Sequence, residues 1–179
     1  MPHWKVLKSI EILKAGLFRL RADECELPDG RVMPRYYAME FKDWVNVVAL
    51  SQDGRMIMVE QYRHAAGKFF LEVPGGSLDA SSEAPEDAGR RELREETGYT
   101  SDEWIYCGSH FPNPALQTNR MHTYLAKNCR RTGEPELDPV EDLEVKLMPR
   151  AEIYKKLETG EIEHSLIAAS LALARRFLP

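Results

Sequence analysis

The sequence predicts an α+β fold, a mixed β-sheet covered by helices. Three observations lead there. Short alternating or β-branched segments fill most of the first 80 residues and return between residues 103 and 148. One strongly charged helical segment interrupts them at Pro85–Thr97. The chain then closes on two further helical segments after residue 149. Strands outnumber helices and do not alternate with them one for one, so the pattern is α+β rather than a regular βαβ repeat.

Taken in order, "LFRLRADECEL" (17–27) alternates apolar and polar residues, as a half-buried strand does. "LPDG" (27–30) is a turn, and "RYYAMEF" (35–41) returns as a second strand, so residues 17 to 41 read as a β-hairpin. "WVNVVAL" (44–50) is dense enough in β-branched residues for a buried strand. "SQDG" turns the chain into "RMIMVEQYR" (55–63), and "GKFFLEVPGG" (67–76) is a strand ending in a Pro-Gly-Gly loop. The helix at Pro85–Thr97 has proline suited to its first turn and Gly98 as its C-terminal cap. Ala84 is a weak N-cap, leaving Ser82 or Glu83 to cover the free amides. "WIYCGSHF", "RMHTYLAKN" and "LEVKLMP" are further strands, and "AEIYKKLETG" and "SLIAASLALARRF" are the closing helices.

A chain of 179 residues fits one domain with a small N-terminal extension. Its net charge of −5 argues against a nucleic-acid-binding surface. The three cysteines, Cys25, Cys107 and Cys129, are far apart and form no C-x-x-C pair, which argues against a disulfide framework or a zinc site and for a reducing compartment. "LIAASLALA" (166–174) falls well short of the roughly 20 residues that cross a bilayer. The N-terminus has no long apolar run of the signal-peptide kind. The expected setting is the cytoplasm, with no membrane partner.

The chemistry concentrates in "GGSLDASSEAPEDAGRRELREETGY" (75–99). At helical spacing Glu92, Glu95 and Glu96 share one side. Alone, they fit a solvated helix with internal ion pairs, Arg91 facing Glu95 one turn on. The Pro-Gly-Gly loop ahead of them adds a second reading. Glycines let backbone come close to a ligand, and clustered carboxylates with a carbonyl suit Mg²⁺ or Mn²⁺.

Arg91-Glu92-Leu93-Arg94-Glu95-Glu96-Thr97-Gly98-Tyr99 resembles the core of the Nudix box, R-E-U-x-E-E-x-G-U with U a bulky apolar residue. Glu83 stands the right distance before Arg91, but six residues, not five, separate it from Gly76, so the loop "SLDASS" (77–82) is one residue long for the pattern. Gly89 stands where the family usually has alanine. The resemblance implies an α/β/α sandwich over residues 41–179 with an N-terminal β-strand extension over 1–40 that makes a dimer contact. It also implies hydrolysis of a nucleoside diphosphate linked to another moiety, with Mg²⁺ or Mn²⁺ held by Gly75, Glu92, Glu95 and Glu96. "VEQYRHAAGKFFLEVPGG", the loop around Pro114 and "PVEDLEVKLMP" are similar to ADP-ribose pyrophosphatases and related nucleoside diphosphate sugar hydrolases. That likeness assigns Arg63 to the substrate diphosphate and Glu141, with Glu144 as its rival, to the attacking water. Trp44, Glu72 and Pro114 become substrate-side candidates, Trp44 by stacking on a base, and Arg91 a structural ion-pair partner. His122 reads as a structural strand residue. A triphosphate, a dinucleoside polyphosphate or NADH as substrate, and a non-catalytic nucleotide sensor, are the alternatives.

Overall fold

The computed structural model describes residues 3–79, 82–139 and 141–178. Two compact units emerge. The first takes the chain up to Asp43 together with Phe111–Arg120. Its antiparallel three-stranded sheet runs β1 (Lys5–Lys14), β2 (Phe18–Glu26), β3 (Val32–Phe41). The expected hairpin is β2–β3, and β1 extends it to a three-stranded meander. Every residue of β1 is exposed, including Val6, Leu7, Ile10, Ile12 and Leu13, so neither face of this strand yields a buried period and its alternation is hard to read. The segment Phe111–Arg120 is tied to β3 by Met39 N–H to Leu116 O (2.7 Å) and Thr118 N–H to Met39 O (3.1 Å).

The second unit comprises Trp44–His110 and the chain from Met121 on. Its strands are β4 (Trp44–Ser51), β5 (Met56–Arg63), β6 (Lys68–Glu72), β7 (Gly75–Ser77), β8 (Tyr99–Thr100), β9 (Glu103–His110), β10 (Met121–Arg131) and β11 (Leu143–Met148). The helices are α1 (Pro85–Thr97), α2 (Arg150–Glu158) and α3 (Ser165–Arg175). The sheet order is β11-β5-β4-β10-β8, with β6 added on β5, β7 on β4 and β9 on β10. Within this sheet, among the described residues, β4 and β10 are the one parallel pair of strands. The sheet is therefore mixed, as the strand-rich sequence predicts. The Pro-Gly-Gly loop is partly strand, because Gly75–Ser77 pairs with Trp44–Asn46.

β4 shows why the sheet needs helices on both faces. Val45, Val47 and Ala49 pack with Ala88 and Leu93 of α1, while Val48 and Leu50 join Ile153 of α2 and Ile167 and Leu171 of α3. A strand covered twice reads as a continuous apolar run, which is the character of "WVNVVAL". Gly89 lets α1 settle closely, since a Cβ there would come within 3.2 Å of Val47 Cγ2. The N-cap of α1 is Ala84, with no side-chain cap bond, and Glu86 and Asp87 in the first turn complement the helix dipole. All three cysteines are buried free thiols. Burial pushes Cys107 up to about 11 and Cys129 up to about 12. No helix of the described residues is long and apolar enough to cross a membrane.

α1 ends at Gly98, whose φ of 72° is left-handed and whose N–H bonds Arg94 O. A Cβ at Gly98 would lie 2.3 Å from Gly133 O, a backbone atom. Gly98→Ala therefore combines a strained φ with a backbone clash, and urea unfolding should show a loss of about 2 kcal/mol or more. Leu93→Ala, at a fully buried position, should cost about 2–5 kcal/mol in the same measurement.

Candidate active site

The site is built where α1 crosses β7. Helical spacing puts Glu92 and Glu96 on the face turned to the sheet, and both are buried, at 9% and 5% exposure. Glu95 lies at their flank, half-buried. Two carboxylates can approach the sheet here because the facing strand is glycine. A Cβ on Gly76 would fall 2.4 Å from Glu92 Oε1, and one on Gly75 would fall 2.2 Å from Val45 O. The Gly75 N–H donates to Glu96 Oε2 at 3.0 Å. In an extended strand a residue's N–H and C=O leave by the same edge, so Gly75 O shares the edge that faces Glu96.

Arg91 organises the outer side of this cluster. Its Nη1 donates to Glu92 Oε1 (2.9 Å) and Glu95 Oε2 (3.2 Å), its Nε to Glu83 Oε1 (3.1 Å) and its Nη2 to Ser77 O (3.1 Å). Every substituent of this guanidinium is thus engaged by the box itself. Burial opposes the Arg91 charge, and Glu83, Glu92 and Glu95 more than offset it, holding the guanidinium firmly protonated. Glu83 also accepts from Asp79 N–H at 2.6 Å, which ties the far end of the 77–82 loop. The extra residue expected in that loop falls in a stretch whose members 80 and 81 lie outside the described residues.

The carboxylates are not fully compensated. Burial, together with Glu95 and Glu141, outweighs Arg91 and pushes Glu92 up to about 7. Glu96 is pushed well above the ordinary carboxylate range, first by burial and then by Glu92 and Glu141, against the Gly75 amide and Arg63. Glu141 therefore stands close enough for its charge to act on both. Its loop is turned by Glu141 N–H to Asp138 O (2.9 Å) and Asp138 N–H to Glu141 Oε2 (3.1 Å). Glu144 is directed elsewhere, paired with Lys146 at 3.7 Å beside Glu60.

Arg63 and Glu72 sit across the β5–β6 ladder and form a bidentate pair, Nε to Oε1 at 2.7 Å and Nη2 to Oε2 at 2.6 Å. Glu72 is buried to 3% exposure, so it acts as the anchor and Arg63 as the anchored group. Hydrogen bonding to Glu72 comes first, ahead of Glu96 and Glu141, among the influences that raise the Arg63 pKa. Nη1 of Arg63 has no partner among the described residues and is the nitrogen left to meet a ligand.

The structure thus gathers Gly75, Glu92, Glu95, Glu96, Glu141, Arg63, Glu72 and Arg91 in the second unit. Trp44 is half-buried in the same unit, opposite Ser77 of β7 and Met121 of β10. His122 lies on β10 with its ring 6.3 Å from that of Tyr106. Pro114 belongs to the first unit, in the turn closed by Gln117 N–H to Asn113 O. Glu83, which the box spacing places before Arg91 and which also reads as a helix cap, is a brace through its bonds to Arg91. One participant is not among the residues singled out in the sequence. Asn46 backs Gly75 across the β4–β7 ladder, and its signal is an amide inside an otherwise apolar strand.

The donor set fits a hard divalent cation. It offers carboxylate and carbonyl oxygens, two of the carboxylates are buried beyond what their cationic neighbours offset, and a glycine strand leaves the space a Cβ would fill. Among the described residues no three His, Cys, Asp or Glu side chains close into a cage.

Comparison with known proteins identifies the family. Residues 41–170 match the profile of the NUDIX domain. Residues 4–38 match that of the nucleoside diphosphate sugar hydrolase N-terminal domain. The chain is 34% identical over 165 residues to the ADP-ribose pyrophosphatase of Mycobacterium tuberculosis, covering 91% of this chain and 79% of that protein. It is 30% identical over 159 residues to the ADP-ribose pyrophosphatase of Bacillus subtilis, covering 88% and 85%. A crystal structure of an ADP compounds hydrolase shares the fold with a TM-score of 0.86, over 99% of this chain and 95% of that chain at 21% identity. With a buried glutamate pair against a glycine strand, and a family profile spanning most of its length, the chain belongs to the Nudix family.

Proposed function

We propose that this chain hydrolyses the pyrophosphate bond of ADP-ribose and related nucleoside diphosphate sugars, releasing a nucleoside monophosphate and a sugar phosphate. The observation that carries the reading is the pair Glu92 and Glu96, buried against Gly75 and Gly76, with Glu141 acting on both and Arg63 on Glu96. The relatives at 34% and 30% identity are ADP-ribose pyrophosphatases, which supports the substrate class.

In this reading Glu92, Glu96, Glu95 and Gly75 O hold Mg²⁺ or Mn²⁺. When bound, the cation supplies charge neutralisation for the diphosphate and acidity for water in the site. Arg63, held by Glu72, offers Nη1 to a phosphate oxygen. Glu141 takes the proton from the water as its oxygen attacks one phosphorus. The phosphorus–oxygen bond to the other phosphate breaks, and the leaving phosphate carries away the electron pair. Arg91 stays with Glu83, Glu92 and Glu95 and keeps them aimed. Trp44 is the candidate platform for the base and Pro114 a substrate-loop residue. The exposed apolar side chains of β1 support a homodimer through the first unit, which light scattering on the purified chain tests by mass. We place the protein in the cytoplasm, with neither nucleic acid nor membrane among its partners.

A hydrolysis panel with Mg²⁺ or Mn²⁺ over ADP-ribose, ADP-glucose, GDP-mannose, NADH and GTP should show fastest turnover on a nucleoside diphosphate sugar. GTP as the best substrate would overturn the proposal. Chelation with EDTA should abolish turnover, and added Mg²⁺ or Mn²⁺ should restore it. Glu96→Gln keeps the acceptor for Gly75 N–H while removing a charge that burial disfavours. Its kcat should fall at least about a hundredfold, with a metal-free Tm no lower than that of the parent. Arg63→Lys loses the fork that grips both Glu72 and phosphate, and KM should rise roughly tenfold.

A further inference from the structure

Behind the glycine strand, on the sheet face opposite α1, lies a buried polar chain that the reaction as described does not use. Gly75, Asn46 and Thr123 stand side by side on β7, β4 and β10. Ser170 of α3 bridges the latter two. Asn46 Nδ2 donates to Ser170 Oγ at 3.0 Å and to Leu166 O at 3.5 Å, and the Thr123 and Ser170 hydroxyls are 3.1 Å apart. Thr123 and Ser170 are fully buried and Asn46 nearly so, amid the apolar side chains of Val48, Leu125, Ile167 and Leu171.

An apolar trio would serve the core at least as well, since each buried polar group must find its partners merely to break even. What the trio does that apolar side chains cannot is fix the Asn46 amide in one rotamer. That amide lies directly against the strand that carries the proposed site. A Cβ on Gly75 would meet Asn46 Oδ1 at 2.8 Å and Asn46 Cα at 3.0 Å. On its other edge the same glycine donates to Glu96. Val47 N–H to Pro74 O at 2.8 Å holds the strand just before it. Gly75 is thus clamped between Asn46 on one side and Glu96 on the other.

We propose that Asn46, locked by Ser170 and Thr123, is a positioning residue for Gly75 and through it for Glu96. It rests on the reading of this site as one that holds a divalent cation. The helix α3 sets the Asn46 amide, the amide sets the height of β7, and β7 sets the N–H and C=O of Gly75 that face Glu96. The trio touches neither substrate nor ion.

The test compares Asn46→Leu, Ser170→Ala and Thr123→Val with Tyr154→Phe on α2, which removes a bond to Leu171 O (3.1 Å), one residue along α3 from Ser170 and outside the trio. Mn²⁺ binding to the protein without substrate, hydrogen exchange across residues 74–78, and kcat and KM are read for each. Asn46→Leu and Ser170→Ala should weaken Mn²⁺ binding and lower kcat by about tenfold or more. Their KM should stay within about twofold, and exchange at 74–78 should accelerate. Thr123→Val should do the same to a smaller extent. Tyr154→Phe should lower Tm while leaving Mn²⁺ binding and exchange at 74–78 unchanged. Parental Mn²⁺ affinity and exchange in Ser170→Ala and Asn46→Leu, or an equal shift in Tyr154→Phe, would overturn the proposal. If Asn46→Leu does not fold, Ser170→Ala and Thr123→Val decide it. A parent chain that binds no Mn²⁺ would instead sink the functional reading, and exchange at 74–78 would still judge the clamp.

Discussion

The structure turns on one costly arrangement, two carboxylates of one helix side buried against a strand that has no side chains to offer them. Burying like charges this way is unfavourable by itself, and the elevated pKa of Glu92 and Glu96 records it. Nearly every neighbouring feature exists to make that arrangement tenable. Gly75 and Gly76 supply the space, the Gly75 amide supplies one hydrogen bond, and Gly89 lets the helix lie low on Val45 and Val47. The rest of the fold, two apolar layers on either side of β4, supplies the rigidity that keeps the pair from moving apart.

The two arginines of the site are used in different ways. Arg91 hydrogen-bonds Glu83, Glu92, Glu95 and Ser77 O, so all its nitrogens are engaged within the box. Arg63, on the opposite flank, is held by one deeply buried acid and keeps a nitrogen open. The same residue type thus serves as brace in one place and as hand in the other. The difference lies in how many acids surround each, and fork geometry makes both uses possible.

Much of this was legible in the sequence because it is written in local spacing. The helix Pro85–Thr97 was readable to the residue, since proline at its start and glycine at its end are local signals. The grouping of Glu92 with Glu96 followed from helical periodicity, and the mixed sheet from the strand-rich pattern. What escaped depends on contacts across the chain. β1 hides because both its faces are exposed, so burial imposes no period on it. The strand character of Gly75–Ser77 is imposed by β4, not by three residues of low β propensity. Glu72 is expected on the substrate side, but its role as the anchor of Arg63 comes from a contact between neighbouring strands that no local pattern shows. The Asn46–Ser170 bond joins residues 124 positions apart, beyond any local pattern.

The three thiols lend the molecule a further use. Each is shut inside the fold, and burial holds two of them far from ionisation. Attack by an alkylating reagent needs a thiolate that the reagent can reach. Labelling of the parent chain therefore counts openings of the fold and not collisions with its surface. A single cysteine introduced at an exposed turn position such as Gln52 would react alone in the folded protein, giving an addressable handle against a silent background.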